Sequence, residues 1–293
     1  MLRWTPAGAV SLPQTVQIRV QQRYPGRVEA GAPLPTRSLS PVELADNIRY
    51  FTIGLRTPRT APCTALVLSG VGVAQRSDTP AAMALARSEG IQRIILHAGT
   101  EDLTALPLAD FAQTVTLLVV PIQGEPTAAL AAISAAHDAG LMVCANVVLT
   151  LATLPHLPSI AAALAVLGPQ QTNLTYPLPT SERLRPVPAQ AQAISAVTTA
   201  ATVLESAGRA VNIKGLPVCY LGELARLVRR THNRWYVDAD HQQDRALLFF
   251  PGVVSFHKED TCRFCTADAH CDGFFTEYLS RDGFPALAPI TPY

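Results

Sequence analysis

The sequence predicts an α/β protein built on a parallel sheet, and three observations lead there. Short β-branched apolar runs alternate with alanine-rich stretches through the middle of the chain. Such runs suit strands covered on both faces, and alanine-rich stretches suit the covering helices. Gly90, Gly140, Gly168 and Gly208 each follow an alanine-rich segment, the place of a left-handed helix cap.

The elements follow in order. A strand is expected near 15–21, then a helix over 41–53. Ser40-Pro41-Val42-Glu43 offers that helix an N-cap, a first-turn proline and an N3 carboxylate, the parts of a capping box. Strands are expected at 65–68, 93–97, 114–120, 141–149, 172–176 and 210–213. Helices are expected at 79–89, 127–139, 159–167 and 189–207. Repeated β–α units imply right-handed crossovers. Six or seven of them close a barrel wholly or in part, or spread into an open doubly wound sheet, and periodicity does not choose. Residues 24–38, rich in Pro and Gly, read as a long surface loop. After about 215 the aromatic, His and charged residues rise. The β–α rhythm ends there after one more helix near 221–230.

Composition bounds the function. A chain of 293 residues suits one large domain with an appendage, or two small ones. A net charge of +1 provides no basic stripe for phosphates, so nucleic acid is not an expected partner. No apolar run reaches the ~18–20 residues of a membrane span. The first fourteen residues lack an apolar secretion core, so a cytoplasmic location is expected. No Ser/His/Asp set, paired carboxylates or phosphate loop is readable.

The six cysteines divide into two kinds. Cys63 and Cys144 stand alone at or in apolar strands and read as buried thiols. Cys262-Arg-Phe-Cys265 is a C-x2-C pair, Cys271 follows after five residues, and Gly273 permits a tight turn behind it. Cys219 follows Pro217 at the end of the last expected strand. Four thiolates complete the ligand set of a [4Fe–4S] or [2Fe–2S] cluster, or of tetrahedral zinc. One pair, one x5 step and one distant Cys suit iron–sulfur better than a zinc knuckle with two close pairs. His257 and His270 read as polar residues around such a centre, and Lys258 and Asp268 as solvated charges. Trp235, Tyr236, Phe249, Phe250, Phe274, Phe275 and Tyr278 are expected to form its apolar shell. Arg226, Arg229 and Arg230 fall near one helix face, with Arg234 just beyond, as a solvated face or a docking surface for an acidic partner.

These residues resemble a known family. Cys262-x2-Cys265-x5-Cys271-x-Gly273, with Tyr278, Gly283 and Pro289-Ile290, is similar to the C-terminal auxiliary-cluster segment of radical S-adenosylmethionine (radical SAM) proteins. Gly215-Leu-Pro217-Val-Cys219 resembles the upstream part of that segment. Leu66–Gly70, Ala86–Gly90, Val143–Thr150, and Leu167-Gly168 followed by Thr172–Pro177 resemble the family's barrel. The resemblance implies a partial (β/α)6 TIM-like barrel over 15–215, after an extension at 1–14. A small C-terminal cysteine-rich cluster-binding extension would occupy 216–293. It also implies one iron–sulfur cluster, [4Fe–4S], on Cys219, Cys262, Cys265 and Cys271.

The departures are as informative. The family's C-x3-C-x2-C should follow the first strand, where Tyr24, Val28 and Gly31 stand instead, and no Cys precedes residue 63. The Gly-Gly-Glu-Pro segment becomes Gly70-Val71-Gly72-Val73. The expectation is therefore a pseudoenzyme that does not cleave S-adenosylmethionine, serving as the cluster-bearing partner of an active radical SAM enzyme or of its substrate. Two alternatives stand beside it. One is an enzyme of other chemistry using His97, Asn146 and Tyr176 at the strand ends. The other is a structural zinc protein.

Overall fold

The computed structural model describes residues 2–5, 8–11, 13–23, 36–53, 62–179, 187–249, 256–279 and 284–291. Tyr24, Val28, Gly31, Phe250 and Gly283 lie outside them. In chain order the elements begin with strands β1 (Leu2–Thr5), β2 (Gly8–Ser11), β3 (Thr15–Arg23) and β4 (Thr36–Ser38), then helix α1 (Pro41–Thr52). Next come β5 (Ala65–Gly70), α2 (Thr79–Ser88), β6 (Arg93–His97), α3 (Leu108–Phe111), β7 (Leu117–Ile122) and α4 (Thr127–Asp138). Then follow β8 (Val143–Val148), α5 (Leu157–Leu167), β9 (Gln171–Thr175), α6 (Gln190–Ser206) and β10 (Val211–Lys214). The last are β11 (Arg234–Val237), β12 (Leu247–Phe249), β13 (Phe256–His257), β14 (Phe274–Phe275) and α7 (Thr276–Leu279). The fold is mixed α/β with mostly parallel strand pairing.

The chain divides into two compact units. The first comprises Met1–Val120, Ser134–Val143 and Asn233–Phe249. Its parallel strands run β11-β3-β5-β6-β7, with β12 antiparallel on β11 and β4 antiparallel on β3. Strand β3 alternates: Val16, Ile18 and Val20 are buried, while Gln17 and Gln21 are half-exposed and Arg19 is exposed. Two-residue periodicity places the apolar three on one face and the polar set on the other. Helix α1 buries Leu44, Ile48 and Phe51 and starts with the expected capping box. The Ser40 side chain accepts from the Glu43 amide, and Glu43 accepts from the Ser40 amide at 2.8 Å. That amide bond is the largest cause holding the Glu43 carboxyl below its usual range.

The second unit comprises Pro121–Ile133, Cys144–His232 and Phe250–Tyr293. Strands β8, β9 and β10 pair in parallel. One face carries Ala145, Val147, Thr172, Leu174, Val211 and Ile213, all buried. The registers Asn146↔Asn173↔Asn212 and Val148↔Thr175↔Lys214 put polar residues on the other. Helices α5 and α6 pack together and bury Ile160, Ala161, Leu164, Val197, Ala200 and Leu204. Gly168 ends α5 with φ +65°, the left-handed cap its sequence position implied. No helix among the described residues is long and apolar enough to cross a membrane.

Three local expectations are corrected. Residues 36–38 are a strand on β3 rather than the end of a loop. The helix expected at 221–230 is a six-residue 3-10 turn, Gly222–Leu227, because Val228 turns extended and bridges Ile213. The strand rhythm continues past it, since Trp235, Tyr236 and Val237 of β11 register with Val16, Gln17 and Ile18. Trp235, expected in the apolar shell of the cysteine centre, instead belongs to the first unit and packs on Phe51, 5.9 Å between ring centroids. Tyr236 and Phe249 belong to that unit as well, and the Arg234 guanidinium lies 4.4 Å over the Phe249 ring.

Candidate metal centre

The second unit brings four cysteines to one cavity of about 20 Å³, lined by Cys219, Cys262, Cys265 and Cys271 with Pro217, Val218, Lys258, Asp268, Gly273, Leu287 and Ala288. Each thiol sits at or in a short 3-10 turn. Val218–Tyr220 carries Cys219 just after β10, and Asp260–Phe264 carries Cys262. Cys265 and Cys271 are the residues that end Asp260–Phe264 and Asp268–His270. Backbone bonds tighten the loop: Cys265 N–H donates to Cys262 O at 2.9 Å and Asp268 N–H to Cys265 O at 3.1 Å.

Two amides point at sulfur. Gly273 N–H donates to Cys271 Sγ and Ile290 N–H to Cys265 Sγ, each at 3.3 Å. Hydrogen bonds to sulfur of this kind tune the potential of a cluster bound there. Thr266 N–H in turn donates to Ile290 O at 2.9 Å, fixing the tail over the C-x2-C pair. Burial raises the Cys219 thiol pKa, an amide contact from Ala288 opposes that, and the neighbouring Cys271 and Cys262 raise it further. Burial is also the leading cause raising Cys262, with Glu259 backbone contact and the Lys258 ammonium working against it and Cys265 and Cys271 with it. Among the described residues no group of three or more His, Cys, Asp or Glu side chains that could hold a metal ion is found.

Aromatic packing braces this centre. Tyr176, Phe274, Tyr278 and Phe284 are mutually packed, with centroids from 5.3 to 5.9 Å apart. Phe274 also meets Phe275, and Tyr220, next to Cys219, at 5.8 and 5.6 Å. Tyr278 donates to Pro177 O at 3.1 Å. The cluster covers the backbone immediately after Gly273.

The structure redistributes the other candidates. Lys258 and Asp268, expected as solvated charges, line the cavity, and Lys258 Nζ donates to Asp268 O and Oδ1 at 2.8 Å each. The contact reaches across the C-x2-C pair to the middle of the C-x5-C loop, and sequence spacing did not reveal it. His257 and His270 are exposed and do not line the cavity. Leu287 and Ala288 do, and the only sequence signal for that wall was the neighbouring Pro289-Ile290. Cys63 and Cys144 are buried at 4% and 2% exposure, and burial pushes their thiols up to about 12 and about 11. The Tyr176 hydroxyl donates to Pro188 O at 2.7 Å and the residue is fully buried, which removes it from any open pocket. Asn146 accepts from the Thr175 hydroxyl at 2.7 Å, and His97 ends β6 with its side chain exposed.

In the first unit the glycine turn after β5 is engaged internally. Gly72 N–H donates to Glu101 Oε1 at 2.9 Å. At Gly70, φ is +130° and an added Cβ would lie 2.6 Å from Gln21 O. Asp102, fully buried next to Glu101, accepts from Gly99 N–H at 2.7 Å.

No protein-family model and no curated protein sequence matches the chain. Its fold is similar to that of a radical SAM enzyme. The solved structures are of SuiB from Streptococcus suis, alone and bound to S-adenosylmethionine. They superpose with TM-scores of 0.56 and 0.55 at 7% identity, each covering 79% of this chain. SuiB bound to its precursor peptide SuiA gives 0.52 at 8% identity over 70% of this chain. The chain spans 59% of SuiB's length in the first two and 49% in the third. At that identity the likeness is one of fold alone, mixed α/β.

Proposed function

We propose that the chain is a radical SAM-like iron–sulfur protein with a partial (β/α) barrel. Its cluster is held by Cys219, Cys262, Cys265 and Cys271, and it does not cleave S-adenosylmethionine. One observation carries this reading: the four cysteines line a single cavity, with the Gly273 and Ile290 amides aimed at two of the sulfurs. When bound, a cluster would supply one-electron chemistry there. The protein's own residues hold the thiols in place, set a cation beside them through Lys258, and limit solvent through Leu287 and the aromatic packing.

The non-cleaving half of the proposal rests on other residues. No Cys precedes residue 63, so the reductive cluster has no thiolates on the N-terminal part of this chain. The glycine turn that replaces Gly-Gly-Glu-Pro presents its Gly72 amide to the chain's own Glu101. A cluster without a cleavage site suits a partner subunit that binds a substrate or an active radical SAM enzyme. Purified anaerobically, reconstituted with iron and sulfide and reduced with dithionite, the protein alone is expected to form no 5′-deoxyadenosine from S-adenosylmethionine. Reductive cleavage by the isolated protein, abolished in Cys271→Ala, would overturn the partner role.

A further inference from the structure

We propose that a cationic groove beside the cysteine cavity docks an acidic protein partner, an inference that rests on the cluster proposed above. The groove has a volume of about 430 Å³ and is lined by Arg226, Arg229, Arg230 and His270, with Val218, Thr266 and small apolar neighbours; among the described residues no acidic residue lines it. Val218 lines both the groove and the cysteine cavity. Thr266 and Ala267 directly follow Cys265, so an occupant lies one strand of backbone from a thiol.

The three arginines are not equivalent. Arg226 forms a two-pronged pair with Glu205, and Arg230 binds Asp272 Oδ1 at 2.7 Å and Ala269 O at 3.0 Å. These two hold the turn to its surroundings. The Arg229 side chain is exposed and its guanidinium donates to the carbonyls of Arg226 and Val228, at 2.9 and 3.1 Å. Among the described residues it has no carboxylate partner, and exposed His270 stands on the same groove. A guanidinium in that state takes a carboxylate two-pronged.

Carboxylates on a protein fit better than a phosphate chain, because the C-x2-C loop also shows an apolar anchor. Phe264, next to Cys265, is 64% exposed, with the Arg263 guanidinium 4.7 Å from its ring centroid. Ile290, whose amide meets Cys265, is 39% exposed. Exposed aromatic and Arg side chains around a polar rim are the composition of protein interfaces. A carboxylate-bearing surface with one apolar contact matches this arrangement.

The test uses the full chain and a fluorescein-labelled peptide of alternating Glu and Leu, read by fluorescence anisotropy at low ionic strength. Arg229→Glu is expected to weaken binding at least about tenfold, since reversal of an interfacial charge turns attraction into repulsion. Phe264→Ala is expected to weaken it several-fold. Arg93→Glu, the same charge change at an exposed residue of the first unit, is expected to leave binding unchanged. Unaltered binding in Arg229→Glu would overturn the proposal, as would equal loss in Arg93→Glu. So would binding of inorganic polyphosphate without binding of the peptide. Iron is assayed in the same samples. Arg229-dependent binding in iron-free protein would strike the cluster and support the groove, so the two failures stay distinct.

Discussion

Replacing Gly273 with Ala should release Cys271 from the centre, and the size of the effect follows from the turn. Gly273 has φ +88°, and a Cβ added there would lie 2.1 Å from His257 O and 2.9 Å from Lys258 Cγ. A left-handed backbone costs a residue with a side chain about 1–2 kcal/mol. The carbonyl cannot yield cheaply, because His257 pairs with Phe274 in the β13–β14 ladder. Losing a ladder bond adds about 1 kcal/mol. Gly273→Ala should therefore destabilise the second unit by about 2–3 kcal/mol. It should also weaken iron retention, since the Gly273 amide donates to Cys271 Sγ. Gly208→Ala is the control: φ is +70° but nothing lies within 4 Å of the added Cβ, so only the conformational cost of about 1 kcal/mol remains. Denaturant unfolding and iron assay on both variants decide it. Equal stability and equal iron in the two would refute the argument that this turn holds the centre.

Three further predictions follow from other parts of the structure. Phe274→Ala should cost about 3–5 kcal/mol, because the ring is fully buried among Tyr176, Tyr278 and Phe284; urea unfolding checks it. Lys258→Met should lower the reduction potential of the reconstituted protein, since a cation beside a cluster favours the reduced form; a potentiometric titration with an unchanged midpoint and intact fold would remove Lys258 from the site. Cys63 and Cys144 make the metal-free protein alkali-sensitive. Their folded thiols are raised to about 12 and about 11 from 9.0, so they bind protons that the unfolded chain releases. That stability is whole below pH ~9 and is lost as pH rises through those folded values. Between pH 7 and 10 the loss should be about 2–3 kcal/mol, and Cys63→Ala/Cys144→Ala should flatten the profile in denaturant titrations.

The sequence was most legible where one periodicity ruled. The expected strand at 93–97 and the helix from Pro41 appear with almost the expected bounds, because β-branched runs and a capping box are local signals. The cysteine spacing was legible for a similar reason: C-x2-C needs only a single turn to converge. What failed was long-range. Trp235 and Tyr236 follow the expected boundary near 215 yet pair with Val16 and Gln17 of β3, and Phe249 pairs with Arg234 in the same sheet; nothing local announces pairing across so much chain. Lys258 and Asp268 looked like solvated charges because a salt bridge across a loop carries no period. His97 and Asn146 were legible as strand-end polar residues, but Tyr176 was misplaced, since an aromatic with a hydroxyl reads alike in a pocket and in a core.

The central claim is tested most directly by metal content in two variants purified and reconstituted anaerobically beside the native protein. About four irons and four sulfides per chain are expected in the native protein and in Cys63→Ala, whose thiol is buried in the first unit and does not line the cavity. Cys219→Ala is expected to lose most of both and the visible absorption with them. One zinc per chain without iron, or iron and sulfide undiminished in Cys219→Ala, would contradict the account.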